Sequence, residues 1–250
     1  MSDDLLLASI DIAAADLDTA TSAWVVVLGR LVDADLGTPI NPGDVEDVTE
    51  RARQAAGFPL GPISYVRDAP VNELRPNYDT VIYRAERDGQ PFIDALVGAG
   101  PAAFVAVGGT RHGRLGSGET APSHVLCSDV EAYMSDLIEL LGSRAGQLGY
   151  RGPGRLAIAI RSEVPGAPLR LRSLDESTGE VAPVDDALSR FEIIEVDLDM
   201  DGERLSDPEY FLEMHQVAWE AGLRIAAQFG LERPQLIPAP GTLGGDFTYG

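Results

Sequence analysis

Chemistry could sit at several places along this chain. A glycine-rich stretch from Gly108 to Thr120 carries Arg111, His112, Arg114 and Glu119. A loop of this kind, placed after a buried strand, is where backbone amides cradle phosphate, and its two arginines would face the anion. Gly109, Arg111, His112, Arg114 and Glu119 are therefore the candidates for an anion or nucleotide site. The stretch lacks the Lys-Ser/Thr ending of a P-loop, shows no dinucleotide fingerprint, and opens no helix directly after itself. A surface loop is the simpler reading.

The histidines are His112, His124 and His215, and none stands at a metal-binding spacing from another. His112 and His124 flank the loop, and with Glu119 they could act as a general acid and base. His215 falls within an apolar helical pattern and reads as a packed residue. Cys127 precedes a helix start, which could lower its pKa, but Val125 and Leu126 beside it favour a buried structural thiol.

Two charge patterns remain. Glu192, Glu195, Asp197, Asp199, Asp201 and Glu203 resemble a metal-binding run. In a strand, however, Glu195, Asp197 and Asp199 would face solvent while Ile194, Val196 and Leu198 point inward, and calcium-loop spacing is missing. No metal site and no cofactor is expected. Arg151, Arg155, Arg161, Arg170 and Arg172 form a basic cluster interrupted only by Glu163. Arg170 and Arg172 share a strand face, with Arg155 and Arg161 in matching parity on an expected neighbour. Such a face could meet phosphates or an acidic partner. It could also pair across strands with the acids of residues 191–199, and internal pairing is the preferred reading.

The elements that must position these residues are legible in part. Leu17, Ala20, Trp24, Val27, Leu28 and Leu31 follow a helical stripe that Gly37 would stop. Asp44 can cap a short helix through Ala55. Phe58 to Pro76, with four prolines, reads as an ordered irregular connection. Strands are expected at Thr80–Arg87 and Ala102–Val107. Ser128 and Glu131 form a capping box ahead of the stripe Val130, Tyr133, Met134, Leu137, Ile138 and Leu141. Strands at 155–161, 169–173 and 191–198 suggest a small antiparallel sheet. A second box, Ser206 and Glu209, opens a last helix from Pro208 to Phe229, and the proline-rich chain from Arg233 reads as an extended or frayed end.

This pattern predicts an α+β fold: helices on a small, mostly antiparallel sheet, with a helical N-terminal part. The expected divisions are an acidic part over residues 1–120, an α+β part over 121–240 and a flexible tail over 241–250.

Composition bounds the function. The 250 residues carry 40 acids against 19 basic side chains, all arginine, for a net charge of −21. That balance argues against general affinity for nucleic acid or anionic lipid. Residues 1–50 hold eleven acids and only Arg30, so almost half the net charge lies there. Asp3, Asp4 and Asp11 belong to this stretch, which is either a solvated face or a dock for a basic partner. No apolar run approaches the roughly 18 residues of a membrane helix. The acidic N-terminus is unlike a signal peptide, so a cytoplasmic location is expected. One cysteine excludes an internal disulfide.

Leu148–Pro153 leading into a strand, Arg190–Glu195, and the helix ending at Ala227–Leu231 resemble the C-terminal region of actinobacterial proteins with a Schlafen-type AlbA domain. The resemblance spans residues 126–240. It implies an accessory domain in a regulatory or phage-defence setting, and it transfers no functional residue, because the AlbA core is not recognisable in residues 1–120. The expectation is a soluble, non-catalytic interaction protein, a regulatory or accessory subunit with a protein partner or a second copy of itself. Arg155, Arg170, Arg172 and the N-terminal aspartates would be its contacts. The alternative is an enzyme acting on a nucleotide or phosphorylated small molecule through the Gly108–Glu119 loop.

Overall fold

The computed structural model describes Ala20, residues 23–34, 123–174, 178 and 190–242, and the backbone of the strands between residues 71 and 109. In chain order the strands are β1 (Trp24–Leu31), β2 (Val71–Arg75), β3 (Thr80–Arg87), β4 (Gln90–Val97), β5 (Ala103–Gly109), β6 (His124–Leu126), β7 (Arg151–Arg161), β8 (Arg170–Arg172) and β9 (Ile194–Asp201). The helices are α1 (Cys127–Leu148) and α2 (Pro208–Gln228). Seven strands form one antiparallel sheet in the order β2-β3-β4-β5-β1-β7-β9, while β6 and β8 form a separate parallel pair. The sheet takes strands from both sides of residue 120. The class is α+β, with α1 packed against β1, β5, β7 and β9, and α2 packed on α1 and β9.

The expected N-terminal helix through Trp24 and Leu31 is corrected by β1, an interior strand between β5 and β7. Every residue of β1 except Arg30 is buried. A run apolar at nearly every position satisfies helical and strand periods alike. The β-branched Val25, Val26 and Val27 suit a pleated interior position better than a helix. Val25, Val27 and Leu31 join the core beneath α1. Gly29 makes that approach possible: a Cβ there would stand 2.7 Å from Leu141 Cδ1 and 2.8 Å from Leu156 Cδ2. On the opposite face of the sheet Trp24, Val26, Leu28, Ala157 and Ala159 are buried as well.

Part of the expected irregular connection, Val71–Arg75, is strand β2. The helix expected from Asp44 lies outside the described residues. Strand β3 has the expected bounds. The expected three-stranded C-terminal sheet is redistributed: β7 and β9 pair with each other, but β8 leaves to pair with β6. β9 alternates as anticipated, with Ile194, Val196, Leu198 and Met200 buried and Glu195, Asp197 and Asp199 exposed.

Neither capping box forms. At α1 the N-cap is Leu126, with no side-chain cap bond, because β6 runs straight into the helix. At α2 the cap is Asp207, whose carboxylate accepts from Glu209 N at 2.9 Å. One residue nearer the helix, Asp207 displaces Ser206 from the role. Residues 231–242 are an anchored strap, so of the expected extended or frayed end from Arg233 the frayed alternative does not hold; Ile237 within it is buried. Residues 243–250, most of the expected tail, lie outside the described residues.

Candidate functional site: the β6–β8 ladder and the start of α1

His124, Val125 and Leu126 stand opposite Arg170, Leu171 and Arg172 in the parallel ladder. Arg170 N donates to Ser123 O at 2.8 Å and extends the pairing by one step. Strand alternation sends the buried Val125 and Leu171 one way and the half-buried His124, Arg170 and Arg172 the other. Three basic side chains thereby share one small face. Burial, then the charges of Arg172 and Arg170, hold the His124 pKa below its ordinary value. Both effects disfavour the charged imidazolium, and the guanidiniums supply the positive charge of this face. Among the described residues neither arginine has an ion-pair partner, and Arg172 Nε is buried without a hydrogen-bond acceptor.

The ladder is fixed from behind by Glu131, in the first turns of α1. Its fully buried carboxylate accepts from Gln235 N at 3.0 Å, Leu236 N at 2.6 Å and Ile237 N at 3.4 Å. Cys127 Sγ donates to the same group at 3.1 Å. Burial raises the Glu131 pKa, and the four hydrogen bonds oppose that rise. Burial first, and then the neighbouring Glu131 charge, push the Cys127 thiol far up. That thiol is a structural donor, as the apolar neighbours suggested.

Gln235 also ties the strap to the end of β8. Leu174 N donates to its Oε1 at 3.1 Å, and its Nε2 donates to Leu174 O at 2.6 Å. One side chain therefore imitates a strand partner for one residue. An open cavity of about 380 Å³ adjoins this bond, lined by Leu174, Leu231, Glu232, Arg233 and Gln235. His215 holds the far end of the strap: its Nε2 donates to Pro238 O at 2.9 Å, and its ring stacks on Phe211.

Of the residues singled out in the sequence, the fold brings Arg170, Arg172 and His124 together. It separates them from Arg155, whose Nε lies 3.2 Å from Asp197 Oδ1 across the β7–β9 pair. Arg151 similarly meets Asp201 at 3.1 Å. The preferred pairing with the acids of residues 191–199 therefore holds for Arg155, while Arg151 pairs with Asp201 just beyond them. It does not extend to β8, because β8 borders β6 rather than β7 or β9. Gly109 ends β5 opposite Trp24. Arg111, His112, Arg114, Glu119, Asp3, Asp4 and Asp11 lie outside the described residues. No grouping of three or more metal-ligating side chains occurs among the described residues, nor is any described helix long and apolar enough to cross a membrane.

Sequence reasoning missed Glu131 as a clamp and Gln235 as its counterpart. Glu131 was visible only as the fourth residue of an apparent capping box, and nothing local marks Gln235. No family model matches the chain, and no curated protein matches it.

Proposed function

We propose that this chain is a non-catalytic interaction protein, a regulatory or accessory subunit that receives an acidic segment of a protein partner on the β6–β8 ladder. The observation that carries the reading is the pairing of Arg170 and Arg172 beside His124 without a carboxylate among the described residues. In a chain of net charge −21, guanidiniums elsewhere find acids readily, as Arg151 and Arg155 do. Arg170 and Arg172, which meet no carboxylate among the described residues, are suited to a carboxylate-bearing surface brought by another molecule, for which the planar fork of arginine is well shaped. The engagement of Cys127 by Glu131 and of His215 by Pro238 assigns both side chains to the scaffold. The regulatory or phage-defence setting implied by the Schlafen-type resemblance belongs to the same proposal, as does an intracellular location.

The test is capture from the native host with the tagged chain, quantified by mass spectrometry against two charge-reversed variants. Arg170→Glu with Arg172→Glu should lose the specific partner at least tenfold, whereas Arg151→Glu with Arg155→Glu should retain it. Equal retention by both variants would refute the ladder as the contact.

A second reading has one observation of its own. The glycine-rich stretch leaves β5 at Gly109 and re-enters the described structure at Ser123, next to the ladder. That reading is an enzyme acting on a nucleotide or phosphorylated small molecule through the Gly108–Glu119 stretch. If nucleotides or sugar phosphates raise the melting temperature, and Arg111→Ala with Arg114→Ala abolishes the effect, this reading displaces the first.

A further inference from the structure

β9 is an outer strand of the seven-stranded sheet. In an antiparallel pair, successive residues turn both backbone groups alternately toward and away from the neighbour. Val32 N donates to Pro153 O at 2.8 Å, so the odd-numbered residues of β7 face β1. Their register partners Glu195, Asp197, Asp199 and Asp201 then turn their N–H and C=O groups to the free edge. Such an edge is a template for another strand.

Here the edge is occupied by side chains of α2. Asp201 N donates to Tyr210 Oη at 3.0 Å, and the same hydroxyl donates to Asp199 O at 3.3 Å. Arg224 Nη1 donates to Glu195 O. Just before the strand, Glu192 N donates to Gln228 Oε1 at 2.6 Å, and Gln228 Nε2 donates back to Glu192 O at 2.9 Å. Among the described residues this series leaves open both backbone groups of Asp197 and the amides of Glu195 and Asp199. A second obstacle stands there: two β9 strands pairing about Asp197 would set Asp197 opposite Asp197 and Glu195 opposite Asp199. Like charges at cross-strand distance destabilise pairing.

We infer that the β9 edge is guarded against pairing with a second copy of this chain by two devices in series, the side-chain clamp from α2 and the acidic face of the strand. Each is sufficient alone, so both must be removed before the edge becomes adhesive.

The experiment uses the full chain with two sets of substitutions. One opens the clamp (Tyr210→Phe, Arg224→Ala, Gln228→Ala), and the other neutralises the face (Glu195→Gln, Asp197→Asn, Asp199→Asn). Light scattering after size exclusion reads the mass, and hydrogen exchange reads the amides of residues 194–201. Each set alone should leave the parent's mass. The combined variant should associate at a concentration at least tenfold below the parent's, with its residue 195 and 197 amides newly protected. About 1 M salt, which cuts the screening length to about 3 Å, should reproduce the effect on the clamp-opened set. If the combined variant keeps the parent's mass while β1 and β7 remain protected, the inference fails. It fails too if either set alone associates as strongly as both. Should Tyr210→Phe cost the fold, Arg224→Ala with Gln228→Ala replaces the clamp set and is judged by the same outcomes.

Discussion

The β7–β9 pair and the β6–β8 pair both carry arginines two or four residues apart, yet they dispose of them differently. Arg151 and Arg155 on β7 look across to Asp201 and Asp197 and form partly exposed ion pairs there. Arg170 and Arg172 on β8 look across to His124 and Leu126. The two regions are also held differently. The first is one edge of a broad sheet, backed by α1 and α2. The second is a separate two-stranded pair among the described residues, fixed by a buried carboxylate and a strap. Parity within a strand decides which arginines share a face. Only the neighbouring strand decides whether that face is already matched.

If the short ladder depends on Glu131, removing that group should separate the two regions. Glu131→Ala leaves the buried amide of Ile237 and the half-buried amides of Gln235 and Leu236 without their acceptor; at about 1–3 kcal/mol for a buried group and less for the others, a loss of roughly 3 kcal/mol is expected in urea denaturation. Hydrogen exchange should accelerate at residues 235–237 and at Arg170 before it does in β9. Equal acceleration in β9 would mean that the regions are one cooperative unit.

The converse perturbation is Gly202→Ala. A Cβ there would lie 2.3 Å from Ala145 O and 2.4 Å from Ala145 C, both backbone atoms that cannot turn aside. Overpacking of this kind costs about 1–3 kcal/mol, and it should loosen the β9 end of the sheet while the strap stays protected. Loss of strap protection first would contradict the assignment of this turn to the β7–β9 region.

Glu139 lies on the helix that both regions share, and burial pushes its pKa up to about 7 from an ordinary 4.5. The folded state therefore keeps a proton that the unfolded state releases. Its contribution to stability falls as pH rises from about 4.5 to about 7 and is level outside that window. Glu139→Gln should flatten the pH dependence in this interval and stabilise the protein above it. A mutant that keeps the parent slope would show that Glu139 is not the titrating group.

The smallest effect belongs to the Arg155–Asp197 pair, whose carboxylate is 86% exposed. A double-mutant cycle should give under about 1 kcal/mol, diminishing with salt. A larger, salt-insensitive coupling would mean that this pair organises the sheet rather than decorating it.

Legibility followed the period of burial. β9 was readable because one face is wet, and α2 because its apolar stripe is interrupted by exposed positions such as Glu209 and Glu213. β1 was misread because both its faces are buried, which erases alternation. β4 left a sequence signal that went unused: Arg87 pairs with Gln90, and Asp88-Gly89 between them is a strong hairpin dipeptide. At the site, Arg170 and Arg172 were visible as a shared face, but their pairing with His124 was not. It depends on β8 meeting a three-residue strand in register 46 positions earlier. The Glu131–strap bonds span more than 100 residues, beyond the reach of any local pattern.

Arginine-specific footprinting tests the central claim most directly. The chain, alone and bound to its captured partner, is treated with phenylglyoxal, and modification of each arginine is followed by mass spectrometry. The account predicts that the partner slows modification of Arg170 and Arg172 at least tenfold while leaving Arg151, whose side chain is 76% exposed, unchanged. Protection of Arg151 with unaltered modification of Arg170 and Arg172 would contradict it.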